Sequence, residues 1–197
     1  MLDRRTVLTG LGALITDLNA QGAEDRTSSI DPLDPSRWNI THSPGMPPHP
    51  NAPWYFDFPH RDGIHYVTTR SKSISGRSAM RMRFRIDGNA TFKATQGEAP
   101  ARVRLYMQRR GDNWQWDHIS YRFWSGPLDL SIGEYTLEGK LVPGQWINVG
   151  GKHDEAGFQP ALAEVENIGF TFGGTFAGHG VYAEGDARFY LLEFAVL

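Results

Sequence analysis

Met80-Arg81-Met82-Arg83-Phe84-Arg85-Ile86-Asp87 alternates apolar and charged side chains with a period of two. Successive side chains of an extended chain point to opposite sides, so this run reads as a strand with one face in a core and the other in solvent. Val103, Leu105 and Met107 repeat the pattern against Arg102, Arg104, Tyr106 and Gln108. Outward from these two runs, further strands are expected at Trp38 to Ile40, Trp54 to Phe58, Ile64 to Thr69, Tyr121 to Trp124, Tyr135 to Leu141, Trp146 to Val149, Ile168 to Phe172 and Ala187 to Val196. Turns carrying Gly and Pro separate them, as in Ser125-Gly126-Pro127 and Val142-Pro143-Gly144. About ten strands at such spacing predict an all-β fold, an antiparallel β-sandwich of jelly-roll type. Only 157–164 looks helical, and it contains Pro160. One short helix is too little for a doubly wound α/β fold, in which each crossover between parallel strands needs its own.

The N-terminus carries a different signal. Asp3-Arg4-Arg5-Thr6-Val7-Leu8, followed by a short apolar run to Ile15, resembles the twin-arginine export signal of bacteria, with Thr9 where a lysine often stands. The resemblance implies an exported protein, periplasmic or secreted, that crosses its membrane already folded. The run is far shorter than the roughly 20 apolar residues a membrane span requires, and Asp17 interrupts it. Ala20, Gly22 and Ala23 offer cleavage positions, so residues 1–22 are expected to be the signal peptide. The chain has no cysteine, which removes disulfides, thiolate metal sites and a lipid-anchored cysteine together. From 23 to 53 the composition turns to Ser, Pro, Asp and Asn with seven prolines. This is expected to be an arm or linker, with Trp38 to Ile40 as a candidate first strand of the sandwich that occupies 54–197.

The C-terminal third adds a second resemblance. Gln145-Trp146-Ile147-Asn148-Val149, the short helical passage, Ile168-Gly169-Phe170-Thr171-Phe172-Gly173-Gly174 and Ala187-Arg188-Phe189-Tyr190-Leu191-Leu192-Glu193-Phe194 resemble the end of a galactose-binding-like jelly roll. That group includes many carbohydrate-binding modules. The resemblance is architectural, supplies no ligand motif, and implies a fold before a function.

The formal net charge of −2 argues against nucleic acid as a partner. It hides an asymmetry: between Arg70 and Arg110 stand eleven Lys or Arg against Asp87 and Glu98. If the strands at 80–87 and 102–108 are neighbours, Arg81, Arg83, Arg85, Arg102, Arg104 and Tyr106 form one exposed stripe. Guanidinium groups bind carboxylates and sulfates bidentately, and an aromatic ring packs on the apolar face of a sugar. An acidic polysaccharide is the ligand this stripe would suit. The alternative is that the arginines meet Glu134, Glu138 or Glu193 on adjacent strands.

Two loops add candidates. Arg110-Gly111-Asp112-Asn113-Trp114-Gln115-Trp116-Asp117-His118 sets Trp114 and Trp116 among polar residues, either as a sugar-stacking platform or as a cap on the core. Its Arg-Gly-Asp opening matches an adhesion tripeptide by coincidence. Gly173-Gly174-Thr175-Phe176-Ala177-Gly178-His179-Gly180 lacks the Lys-Ser/Thr ending of a phosphate loop, and His179 is its candidate ligand contact.

No G-x-S-x-G or H-E-x-x-H occurs. A glycan hydrolase or lyase would have to draw its acids from Asp57, Asp112, Asp117, Glu134 or Glu138 and a base from His65, His118 or His179. The expectation is therefore an exported, non-catalytic glycan-binding module without a cofactor, a structural calcium held by loop oxygens being compatible with the fold. A polysaccharide-active enzyme and an envelope protein-interaction domain are the alternatives.

Overall fold

The computed structural model describes residues 34–97, 99–175 and 179–197; the expected signal peptide and the first part of the Pro-rich arm lie outside the described residues. Thirteen strands follow in chain order. They are β1 Trp38–Thr41, β2 Tyr55–Asp57, β3 Tyr66–Arg70, β4 Ala79–Gly88, β5 Thr91–Ala94, β6 Arg102–Arg109, β7 Arg122–Ser125, β8 Leu128–Asp129, β9 Gly133–Lys140, β10 Trp146–Asn148, β11 Val165–Gly173, β12 Val181–Glu184 and β13 Ala187–Val196. One helix, α1, spans Glu155–Ala163.

All pairings are antiparallel. Sheet A runs β1-β3-β11-β6-β7-β10, with β8 also on β6; sheet B runs β2-β13-β4-β9. The chain passes repeatedly from one sheet to the other, as a jelly-roll sandwich requires. A small β5-β12 pair closes one end. The three strands beyond the ten expected from sequence, β5, β8 and β12, have at most four residues each, too few to show a period.

The core-facing sides of the two alternating runs are as the pattern dictates, but the other side of β6 is not in solvent: Arg104, Tyr106 and Gln108 are buried too. Met80, Met82, Phe84 and Ile86 of β4, and Val103, Leu105 and Met107 of β6, are fully buried between the sheets. Aromatic rings fill the middle. Phe189 of β13 stacks on Phe56 and Phe84 within its own sheet, at 4.9 and 5.0 Å, and on Phe170 across the sandwich at 5.3 Å. Trp38 of β1 meets Phe194 at 5.2 Å and Trp54 at 5.4 Å, so from β1 onward the Pro-rich segment is part of the sandwich. Helix α1 lays Phe158, Ala161 and Leu162 into the core. Its first turn is capped by Asp154, whose carboxylate accepts from Gly157 N at 2.9 Å. Among the described residues no helix is long and apolar enough to cross a membrane.

Candidate functional site

The strands at 80–87 and 102–108 are not neighbours. β4 lies in sheet B and β6 in sheet A, so strand alternation turns their arginines to opposite sides of the molecule and the expected stripe divides in two. On sheet B each arginine of the outer face meets a carboxylate. Arg81 Nε lies 2.8 Å from Glu138 and Arg83 Nε 3.9 Å from Glu134. Arg188 grips Asp57 with two bonds of 2.6 and 3.0 Å. Arg85 Nε is 2.9 Å from Asp87, within ion-pair range although not aligned as a hydrogen bond. Arg85 and Arg188 also lie over the rings of Tyr190 and Tyr55. This face is a self-neutralised array.

The outer face of sheet A is different. Register sets its side chains in rows across the strands. One row is Thr41, Tyr66, Thr171 and Arg104; the next is Asn39, Thr68, Gly169, Tyr106, Trp124 and Ile147; a third is Arg70, Asn167 and Gln108, with Arg122 beyond. Gly169, at φ +156°, leaves the middle of the second row without a side chain, and a Cβ there would lie 2.2 Å from Val67 O. Tyr66, Tyr106 and Trp124 form a separate aromatic cluster beneath this surface, apart from the core.

Trp114 stands over that cluster. The loop after β6 gives it a left-handed backbone, φ 64°, uncommon for a bulky residue. Its ring meets Tyr66 at 5.5 Å, His42 at 4.6 Å and the guanidinium of Arg122 at 4.7 Å, and it remains 40% exposed. His42, at φ 55°, is held in the same unusual region from the other side.

Asp112 fixes this arrangement. Its side chain is 1% exposed, yet its carboxylate accepts from Trp114 N at 3.0 Å and from Gln108 Nε2 at 2.8 Å. Arg122 Nε lies 3.0 Å away, paired in charge but not aligned as a hydrogen bond. Asn167 Nδ2 donates to Gln108 Oε1 at 2.8 Å, so a polar chain runs across the sheet from Asn167 through Gln108 to Asp112. It orients both amides.

The result is a groove with two adjoining clefts. One, about 670 Å³, is bounded by Trp114, Trp124, Arg122, Val149 and the three histidines His42, His65 and His179. The other, about 420 Å³, is bounded by Asn39, Thr68, Arg70, Gln108, Asn167 and the opposite side of Trp114. Burial pushes the Tyr66 hydroxyl up to about 12 and that of Tyr106 well above its ordinary range. Burial lowers the pKa of His65, and the nearby His179 and His42 add to the effect. Arg104 is also lowered, first by burial and then by Arg102.

The residues expected from sequence therefore separate. Tyr106, Trp114 and His179 border the groove, and Arg104 borders a cleft next to Trp124 at its far end. Arg102 is paired with Asp129 at 2.7 Å. Trp116, 71% exposed in a short 3-10 turn, stands apart from the groove lining. Arg81, Arg83 and Arg85 are on the other sheet. Sequence reading did not single out Tyr66, Trp124, Arg122 or His42 as a group. The signal was present for two of them: in Arg122-Phe123-Trp124-Ser125 the buried-core residue is Phe123, which turns Arg122 and Trp124 outward. Among the described residues no group of three or more His, Cys, Asp or Glu is arranged to hold a metal ion.

No family model matches the chain, and no curated protein matches it. Among solved structures, the chain is similar to a carbohydrate-binding module specific for non-crystalline cellulose, CBM28. The TM-score is 0.47 and the identity 13%, over 85% of this chain and 93% of that chain.

Proposed function

We propose that this is an exported, non-catalytic module that binds an extracellular or periplasmic polysaccharide along the outer face of sheet A. The observation that carries the reading is Trp114: a large aromatic ring, 40% exposed, locked in a left-handed backbone by a buried carboxylate above a polar groove. Strain of this kind costs about 1–3 kcal/mol and persists where a site needs it. A partly exposed indole beside amides held in fixed orientation suits a sugar, whose ring offers an apolar face for stacking and hydroxyls for hydrogen bonds.

Asp112, Glu134 and Glu138, three of the five candidate acids, are already engaged by other side chains, and two of these lie apart from the candidate bases. Asp112 is committed to Arg122, Gln108 and the Trp114 backbone. Glu134 and Glu138 sit on sheet B with Arg83 and Arg81, on the opposite face from His65 and His179. An acidic polysaccharide is the finer reading, supported by Arg104, which donates to Ser125 O at 2.9 Å and has no carboxylate partner among the described residues.

Gel retardation by soluble polysaccharides, with an assay for new reducing ends, tests the proposal. The expected result is retardation without new ends, weakened about tenfold in Trp114→Ala, an amount equal to about 1.4 kcal/mol, in a variant that still folds although its unfolding midpoint falls with the lost contacts to Tyr66, His42 and Arg122. New chain ends, or full retention in the folded variant, would count against it.

A further inference from the structure

Among the described residues, one buried cation on the outer face of sheet A has no counter-charge. Arg104 is 8% exposed and forms no ion pair. Its Nη1 donates to Ser125 O at 2.9 Å, whereas its Nε is buried without an acceptor. Burial lowers its pKa, and the like charge of Arg102 adds to the effect. Arg102 itself is matched by Asp129 at 2.7 Å. Taking a charge out of water without a partner is costly, and buried charges in folded proteins are as a rule paired.

Arg104 lines a cleft of about 360 Å³ at the edge of the sandwich, where β9 comes up against β7 and β10. Gly139 permits that approach, since a Cβ there would lie 3.2 Å from both Ser125 Cβ and Trp146 Cζ2. Two further donors line the cleft. Trp124 Nε1 is, like Arg104 Nε, buried without an acceptor. Gln145 gives its Oε1 to Lys140 N at 2.9 Å, which leaves its amide nitrogen as the group it can offer. The one carboxylate on the wall, Glu138, is engaged by Arg81 at 2.8 Å. Unmet donors beside an unmatched guanidinium suit an anion, and a guanidinium holds a carboxylate or sulfate with two parallel bonds. Trp124 borders both this cleft and the larger one beside Trp114, so the groove continues past Trp124 to Arg104.

We infer that the cleft between Arg104 and Trp124 is the anion subsite of the groove, holding a carboxylate or sulfate of an acidic polysaccharide whose neutral sugar faces lie along Trp114. This inference rests on the glycan reading and adds to it where the ligand's charge is met. Of the five arginines expected to form one stripe, Arg81, Arg83, Arg85 and Arg102 have carboxylate partners within the protein, and Arg104 is left to the ligand. A neutral chain leaves that guanidinium unmatched, so the subsite favours a charged chain over a neutral one.

The test uses the full chain, as wild type, Arg104→Met and Arg104→Gln, with three soluble polymers: polygalacturonate for carboxylates, dextran sulfate for sulfates and hydroxyethylcellulose as the neutral control. Arg104→Met removes an unmatched buried charge and keeps much of the volume, so its urea midpoint should be no lower than that of wild type. Its affinity should fall about tenfold for at least one anionic polymer, as loss of a hydrogen bond to a charged group gives, with a flatter salt dependence. Its affinity for the neutral polymer should stay the same. Arg104→Gln keeps an amide donor for Ser125 O; it should show the same selective loss, and it decides the matter if the methionine variant does not fold. Which anionic polymer responds identifies the group bound. Undiminished affinity of the folded variants for both anionic polymers, equal losses on all three, failure of both variants to fold, or a wild type that binds only the neutral polymer would each overturn the subsite while leaving the glycan reading standing. A wild type that binds none of the three would overturn both.

Discussion

Asp112 shows how much of a binding surface can hang on one side chain. Buried carboxylates are costly to desolvate, and an ion pair such as Asp112 with Arg122 returns that cost only if the remaining acceptor positions are filled. Here they are filled by the Trp114 backbone and the Gln108 amide. Replacing Asp112 by Ala strands the Arg122 charge, releases the strained Trp114 backbone and frees Gln108. The expected cost is about 3–5 kcal/mol, read as a fall in the urea midpoint, and Asp112→Asn should recover part of it by keeping the acceptor for Trp114 N. A loss below about 1 kcal/mol for the alanine variant would show that the pair is not organising the loop. From sequence, Asp112 looked like a possible catalytic acid inside an adhesion-like tripeptide, because nothing in linear order shows that Arg122, ten positions on, returns beneath it.

Secondary structure was legible wherever a period could be counted. The ten longer or more apolar strands announce themselves through alternation or aromatic content, whereas Leu128–Asp129 has no room for either. α1 is an instructive intermediate: a helical passage was legible at 157–164, but its start at Glu155 is set by Asp154, ahead of the expected boundary. Ser120 Oγ donates to that carboxylate, as do Gly157 N at 2.9 Å and Asn148 Nδ2 at 3.5 Å. These bonds, Ser120 first, hold its pKa below the ordinary 3.8 against the opposing effect of burial. A carboxyl lowered in the folded state contributes stability that is fully present above its unfolded value and is lost as pH falls through the folded one. Asp154→Ala should therefore cost about 1 kcal/mol at neutral pH, with the difference from wild type shrinking as the pH drops below about 4. Unfolding midpoints of the two proteins that run parallel from pH 7 to pH 3 would contradict this role.

On the scale of the whole molecule, the two outer faces have opposite characters. Alternation assigned the core-facing side of β4 and β6, but the other side of β6, expected in solvent, is also buried at Arg104, Tyr106 and Gln108. It could not say which strands share a sheet, and the stripe joining 80–87 to 102–108 depended on that. The intersheet topology is set by loops and core shape, neither of which leaves a periodic mark. Sheet B's outer face, with Arg81, Arg83, Arg85 and Arg188 matched to carboxylates, is a solvated surface whose exposed pairs are worth about 0–1 kcal/mol each. Replacing Arg81, Arg83 and Arg85 together by Ser is expected to lower stability modestly and leave polysaccharide affinity within about twofold of wild type, since fixed charges on the far side are screened beyond roughly 8 Å. A tenfold loss of affinity in titrations at physiological salt would place binding on sheet B after all.

The pairing of β2 with β13 carries a further consequence, for the order in which the protein is made. Asp57 is aligned with Arg188 and Tyr55 with Tyr190, so a strand near the beginning waits for the last strand before sheet B can close. A ribosome adding about 5–20 residues per second exposes β4 and β9 for many seconds before their companion β13 emerges. Native closure therefore waits on the synthesis of β13, and its rate is governed by long-range pairing rather than by any single turn. The unfinished chain, with Phe84 and Ile86 uncovered, is the species that needs protection from aggregation.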